Sequence, residues 1–123
     1  RYREVNIDID LPEEDVWVQG NPTMLGTALI NLVKNAIEAS PTSGTVIVGA
    51  GSDPIPTIWT HNEGVIPEEI REHFFDKYTT ASKINGTGLG TYSAKIMVEI
   101  MGADIDYTTD KKEGTKVIIS FPG

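Results

Sequence analysis

Residues 21–41 constrain the fold of this chain most strongly, because they form an amphipathic run with a stop signal at each end. Asn21 precedes Pro22, an N-cap followed by a residue whose fixed φ and missing N–H suit the first helical position. Leu25, Leu29, Leu32, Val33 and Ala36 then recur at helical spacing until Ser40-Pro41 ends the run. A helix with one apolar stripe has to bury it against a second layer, so the remaining residues must supply that layer.

They supply strands for the most part. Residues 4–10 alternate through Val5, Ile7 and Ile9, which predicts a strand with one buried face. Val16, Trp17 and Val18 predict a short second strand after a turn at residues 11–13. Residues 45–50 and 56–60 are apolar and β-branched, and the Gly51-Ser52-Asp53-Pro54 turn between them makes a hairpin. Pro67-Glu68-Glu69 opens a short helix reaching Phe74 or Phe75, with acids at the positive end of its dipole. Residues 79–88 have no periodicity and read as a loop. From Leu89 a second long helix places Tyr92, Ile96, Ile100 and, one step round, Met97 and Met101 on its apolar side, with Gly102 just past its end. Ile105 and Tyr107, then Val117, Ile119 and Phe121, are the alternating faces of a closing hairpin that turns at residues 110–114. No repeat or linker divides the chain, so residues 1–123 are expected to form one domain. The expected class is α/β (α+β): a two-layer sandwich whose mixed, mostly antiparallel sheet is covered on one face by three helices.

Charge and composition narrow the function. Ten Lys and Arg against eighteen Asp and Glu leave a formal net charge of -8, which repels nucleic acid and anionic membrane surfaces, so neither is an expected partner. With no cysteine, disulfides and thiolate metal sites are excluded, which fits a reducing compartment. No apolar run approaches the roughly 20 residues of a membrane-spanning helix. The start, Arg1-Tyr2-Arg3-Glu4, reads as that of a fragment of a longer protein, and the strand running into Pro122-Gly123 as a natural domain end.

Two features carry chemistry. Asn31 and Asn35 lie four apart on the first helix, so both amides project from one side next to the apolar stripe. Buried without a partner, each would cost roughly 1–3 kcal/mol, so either neighbouring backbone or a hydrated magnesium ion on phosphates must meet them. Gly86-Thr87-Gly88-Leu89-Gly90 runs into the start of the second long helix, where bare backbone amides and the helix dipole can bind phosphate; the bland reading is a turn. No Gly-Lys-Ser/Thr follows it and it does not succeed a first strand, so it is not a P-loop.

Taken in order, Asn31-Leu32-Val33-Lys34-Asn35-Ala36, Asn62-Glu63-Gly64-Val65-Ile66-Pro67, Phe74-Phe75-Asp76-Lys77-Tyr78-Thr79-Thr80, Gly86-Thr87-Gly88-Leu89-Gly90 and Glu113-Gly114-Thr115 resemble the N, G1, F, G2 and G3 boxes of histidine kinase catalytic domains. That family shares the Bergerat fold with the gyrase, Hsp90 and MutL ATPases. The resemblance implies ATP and Mg2+ as cofactors, with Asn35 a ligand of the magnesium and Asn31 a second ligand or water holder. It implies Asn62 at the adenine amino group, Gly114-Thr115 on the adenine side, a phosphate-facing turn of Gly86, Gly88 and Gly90, and Gly64, Ile66, Thr87 and Leu89 among the ATP-binding residues. Phe75 and Tyr78 would hinge a lid over residues 79–85, where Thr80 is counted with the nucleotide-binding residues and Lys83 either reaches a phosphate or stays solvated. Expected partners are the parent kinase's own dimerisation and phosphoacceptor histidine domain and a response regulator, in two-component signalling. The domain itself is expected to be cytoplasmic and monomeric, without direct membrane contact.

The pattern departs from the family in places. The G1 box usually reads Asp-x-Gly-x-Gly-Ile-Pro; aligning on Gly64 puts Asn62 in the place of the aspartate, whereas aligning back from Pro67 puts His61 there. The first alignment is preferred. An amide there loses a charge-assisted bond to the adenine, so weaker nucleotide binding is expected. Glu38 and Ala39 stand where many relatives have a lysine and an aromatic residue, and Lys112 replaces the first G3 glycine. His61 and His73 lack the helical histidine-acid context of a phosphoacceptor, so the acceptor is expected on a separate segment. Three alternatives stay open: a gyrase-class ATPase, disfavoured because Asn31 occupies the place of the water-activating glutamate; a docking module with degraded nucleotide binding; and a serine-directed kinase of the same superfamily.

Overall fold

The computed structural model describes residues 5–13, 17–18, 20–41, 43–52, 54–76 and 90–122. They form β1 (Asn6–Asp10), α1 (Pro22–Ala39), β2 (Thr45–Gly51), β3 (Thr57–Asn62), a 3-10 helix (Glu68–His73), α2 (Gly90–Ile100), β4 (Asp104–Asp110) and β5 (Gly114–Ser120). The five strands make one mixed sheet in the order β1-β2-β3-β5-β4, parallel only between β1 and β2. α1 packs on β2 and β3 and runs against α2, which in turn packs on β4. This is the two-layer arrangement that the order of elements implies.

Local chemistry sets the ends of both long helices. Asn21 has extended backbone and its Oδ1 accepts from the Met24 N–H at 3.0 Å, with Pro22 opening the first turn. At the other end the Ser40 hydroxyl donates to the Ala36 carbonyl at 2.7 Å, and Pro41 cannot continue the ladder. α2 closes as a Schellman motif: Gly102 takes φ +77, its N–H donates to the Glu99 carbonyl, and the Ala103 N–H reaches back to Val98.

The core lies between the layers. Ala28 and Leu32 of α1, Ala94 and Val98 of α2, and Val117, Ile119 and Phe121 from β5 and its end form one buried cluster with Ile66 and Phe74. Here the expected face of α2 is corrected. Thr91, Ala94 and Val98 are buried, whereas Ile96 and Ile100 are exposed. Small side chains at a helix contact let the two axes approach closely, and Ala28 and Ala94, both fully buried, lie in that shared cluster. Met97 and Met101 pack at its margin, as expected.

Two strand expectations are also corrected. β1 forms, but every residue in it is exposed. Its register puts Ile7 beside Val46 and Ile9 beside Val48, on the side that faces the helices, yet α1 sits chiefly over β2 and β3 and leaves that edge uncovered. Trp17 and Val18 belong to no strand; Trp17 is exposed, and Val18 packs on the core. A β-prone triplet makes a strand only with an edge to pair with, and here the chain goes directly into the capped start of α1. Val16 lies outside the described residues.

Candidate functional site

The end of β3 and the loop after it face the C-terminal half of α1 across a pocket of about 190 Å3. Asn35 and Ala39 line it from α1, Asn62 from β3, Val65, Ile66 and Pro67 from the loop, and Thr115 from β5; Ile70, Phe74 and Thr91 close the far side.

The loop wall is held by a directed relay of hydrogen bonds. Thr115 Oγ1 donates to the Gly64 carbonyl at 2.8 Å, which uses its only proton, so in the 2.9 Å contact between hydroxyls Thr109 must be the donor. Thr109 Oγ1 in turn accepts from the Ile66 N–H at 3.0 Å. Each hydroxyl gives one bond and receives one, and residues 64–66 are tied to the β4–β5 hairpin. Two glycines bring the backbones together. A Cβ at Gly64 would run into the Ala39 carbonyl oxygen, and one at Gly114, whose φ is +82, into that of Asn62. Glu63 fixes the outer side of the loop by accepting from the Thr45 N–H at 2.7 Å. Arg71 Nε donates to the Ile66 carbonyl at 2.9 Å, and the Tyr107 hydroxyl to the Arg71 carbonyl at 2.6 Å.

Among the described residues two buried side-chain nitrogens have no hydrogen-bond partner, His61 Nδ1 and Asn62 Nδ2. Of the two, only Asn62, 3% exposed, lines the pocket. Buried polar groups are nearly always paired, and an unpaired one costs about 1–3 kcal/mol. A ligand with polar edges, seated among Val65, Ile66, Ile70 and Phe74, would relieve that cost. The donor set therefore fits a flat heterocycle with a hydrogen-bonding rim, and Asn35 adds an amide at the α1 side of the same cavity.

The profile of the family described as histidine kinase-, DNA gyrase B-, and HSP90-like ATPase matches residues 20–123. The chain belongs to that family. Among proteins similar to it, Sporulation kinase D of Bacillus subtilis (strain 168) is 28% identical over 95% of this chain, and Sensor histidine kinase WalK of the same organism is 30% identical over 92%. The chain spans only 24% and 20% of those two proteins. Among solved structures, the catalytic domain of histidine kinase ThkA superposes with a TM-score of 0.79 at 28% identity, covering 96% of this chain and 78% of that one. The Bergerat fold implied by the sequence is thus the fold observed.

Within this histidine kinase-, gyrase B- and HSP90-like ATPase domain, the predicted site residues divide into three groups. Asn35, Asn62, Ile66 and Thr115 meet at the pocket, and Gly64 contributes its carbonyl to the wall. Asn31, half-buried one turn before Asn35, is not among the lining residues; its backbone carbonyl lies beside Gly90, the first residue of α2. Tyr78, Thr80, Lys83, Gly86, Thr87, Gly88 and Leu89 lie outside the described residues. Phe75 is held in a ring cluster, 4.9 Å from Phe74 and 5.9 Å from Tyr107.

Asn62 lines the cavity and His61 does not, which follows from the alternation of side chains along β3. The His61 ring instead bonds the Glu113 carbonyl through Nε2, and exposed His73 bonds Asp76 at 2.7 Å. Sequence reasoning missed Thr91 and Thr109. Thr91 is buried and donates to the Phe74 carbonyl at 3.0 Å, and a threonine directly after the glycine run was the available signal. Thr109 had none, because its role depends on the partner strand. Among the described residues no helix is long and apolar enough to cross a membrane.

Proposed function

We propose that this domain binds Mg-ATP in the Asn62 pocket and presents the γ-phosphate for transfer to a histidine on a separate dimerisation domain, from which a response regulator would take it. The observation that carries the reading is the buried, unpartnered Asn62 amide in an apolar cavity that also holds Asn35. The sensor and sporulation kinases among its relatives support the phosphotransfer part. A cytoplasmic location and the kinase's own histidine domain as partner follow from the same reading.

In this reading Asn62 holds the rim of the adenine, and the Ile66–Thr109–Thr115–Gly64 relay keeps the wall from yielding when the base enters. Val65, Ile66, Ile70 and Phe74 exclude water from the faces of the base. Asn35 would hold the metal through its amide oxygen, with Asn31 as second ligand or water holder. Bound magnesium supplies charge neutralisation for the phosphates. Gly90 opens α2, so the positive end of that helix dipole lies where the glycine run ends. The protein's contribution is positioning, with no covalent step of its own.

An amide cannot take a proton from water, so Asn31 in the place of a general base disfavours hydrolysis as the main task. Calorimetric titration with a non-hydrolysable ATP analogue and magnesium tests the reading: saturable heat is expected. No heat at millimolar nucleotide would leave the fold as a docking module, and rapid phosphate release by the isolated domain would make it a hydrolase.

A further inference from the structure

We propose that this pocket accepts 6-oxopurine nucleotides alongside ATP, because Asn62 can offer either a donor or an acceptor to the 6-position of the base. The inference rests on the nucleotide reading above and concerns the selectivity of that same site.

Nδ2 of Asn62 is buried and unpartnered, and no hydrogen bond from the described residues fixes its Oδ1. Buried amides are ordinarily locked in one orientation by their neighbours. Nothing among the described residues locks this one, so turning the amide over breaks no hydrogen bond to them. The two orientations of the amide have nearly the same outline, and glycine at 64 places no side chain beside Nδ2, where a Cβ would sit 3.2 Å away. With Oδ1 forward the residue accepts from a 6-amino group; with Nδ2 forward it donates to a 6-oxo group. A carboxylate at the same point could only accept, and would turn its lone pairs on those of an oxo group.

The other pocket hydroxyls supply no donor that would single out an oxo group. Thr115 spends its proton on Gly64 and Thr91 spends its own on Phe74. Neither keeps a donor for the base. The remaining walls, Ala39, Val65, Ile66, Pro67, Ile70 and Phe74, present apolar side chains that sense shape, and adenine and hypoxanthine have the same outline. Among the described lining residues that leaves Asn62 and Asn35 with side-chain donors, and of these Asn62 is the one at the strand end under the loop.

The test is displacement of a fluorescent ATP analogue from the chain by Mg-ATP, Mg-ITP and Mg-GTP. Inosine triphosphate differs from ATP at the 6-position and in the N1 proton that follows from it, whereas GTP adds a 2-amino group. For the unaltered chain the Kd for ITP is expected within about 10-fold of that for ATP, and Asn62→Asp is expected to move the ratio toward ATP by about 10- to 100-fold, the worth of one charge-assisted bond gained and one repulsion added. Rejection of ITP by more than 100-fold in the unaltered chain overturns the proposal without any variant, so it stays testable even if Asn62→Asp fails to fold. An unchanged ratio in a folded Asn62→Asp chain overturns it too. If ATP itself displaces nothing, the nucleotide reading falls and this inference falls with it; tight ATP binding with exclusion of ITP removes only the relaxed selectivity.

Discussion

Replacing Gly64 with alanine tests how much of the site depends on two backbones touching. The new Cβ would come inside 3.0 Å of the Ala39 carbonyl oxygen, a separation that real Cβ atoms essentially never show, and 3.2 Å from Asn62 Nδ2. The obstacle is backbone in the last residue of α1, so no side-chain rotation relieves it. The loop must move away by about 1 Å, at the 1–3 kcal/mol typical of overpacking. That movement also stretches the 2.8 Å bond from Thr115 to the Gly64 carbonyl, adding about 1 kcal/mol. The sum, about 2–4 kcal/mol, corresponds to a fall in Tm of about 10 °C for a domain of this size. Nucleotide affinity should fall at least about 10-fold, since Asn62 and Ile66 flank the displaced residue. Thermal unfolding followed by circular dichroism, with and without nucleotide, measures both effects. Gly26→Ala is the control: it lies inside α1 with nothing within 4 Å of the added Cβ, so it should raise stability by about 0.5–1 kcal/mol. If Gly64→Ala melts within 2 °C or so of the parent and binds as tightly, the steric account of this wall is wrong.

Other perturbations separate the parts of the site. Asn35→Ala should leave Tm unchanged or slightly higher, because alanine is the better helix former, while lowering magnesium-dependent nucleotide affinity at least about 10-fold; equal affinities with magnesium and with chelator in both proteins would remove Asn35 from the metal site. Thr115→Val keeps the shape of the side chain but leaves the Gly64 carbonyl without its hydroxyl donor and the Thr109 proton without its acceptor, so about 1–3 kcal/mol should be lost in denaturant unfolding; a loss of a few tenths would mean that the relay contributes little. Leu32→Ala, at a side chain 1% exposed in the core, should cost about 2–5 kcal/mol in the same assay, and a smaller cost would place the centre of packing elsewhere.

Where a residue's behaviour depends on its own neighbours in the chain, it was legible from sequence. The Asn21-Pro22 start and Ser40-Pro41 end of α1, the Gly102 stop of α2 and the β4–β5 hairpin rest on short-range stereochemistry, and each formed where its residues indicated. The ordered boxes pointed to the family for the same reason, since they are local patterns read one after another. Periodicity gave less on α2. It favoured the large residues Ile96 and Ile100, but the helix buries Thr91, Ala94 and Val98, because close approach to α1 selects for small side chains and leaves the larger ones to solvent.

The pocket belonged to the tertiary structure. Two alignments put either His61 or Asn62 at the base, and the two side chains leave opposite faces of one strand, so only the pairing of β3 with β2 and β5 decided which of them enters the cavity. Thr109 and Thr115 are six residues apart across a hairpin, and their relay exists because the register sets them opposite each other. By itself the sequence determined the order and type of the elements, apart from the strand expected at Trp17 and Val18, and the family, because these follow from local patterns along the chain. Tertiary structure alone decided that the Asn62 amide would be buried without a partner, because burial and pairing depend on what the rest of the chain brings alongside.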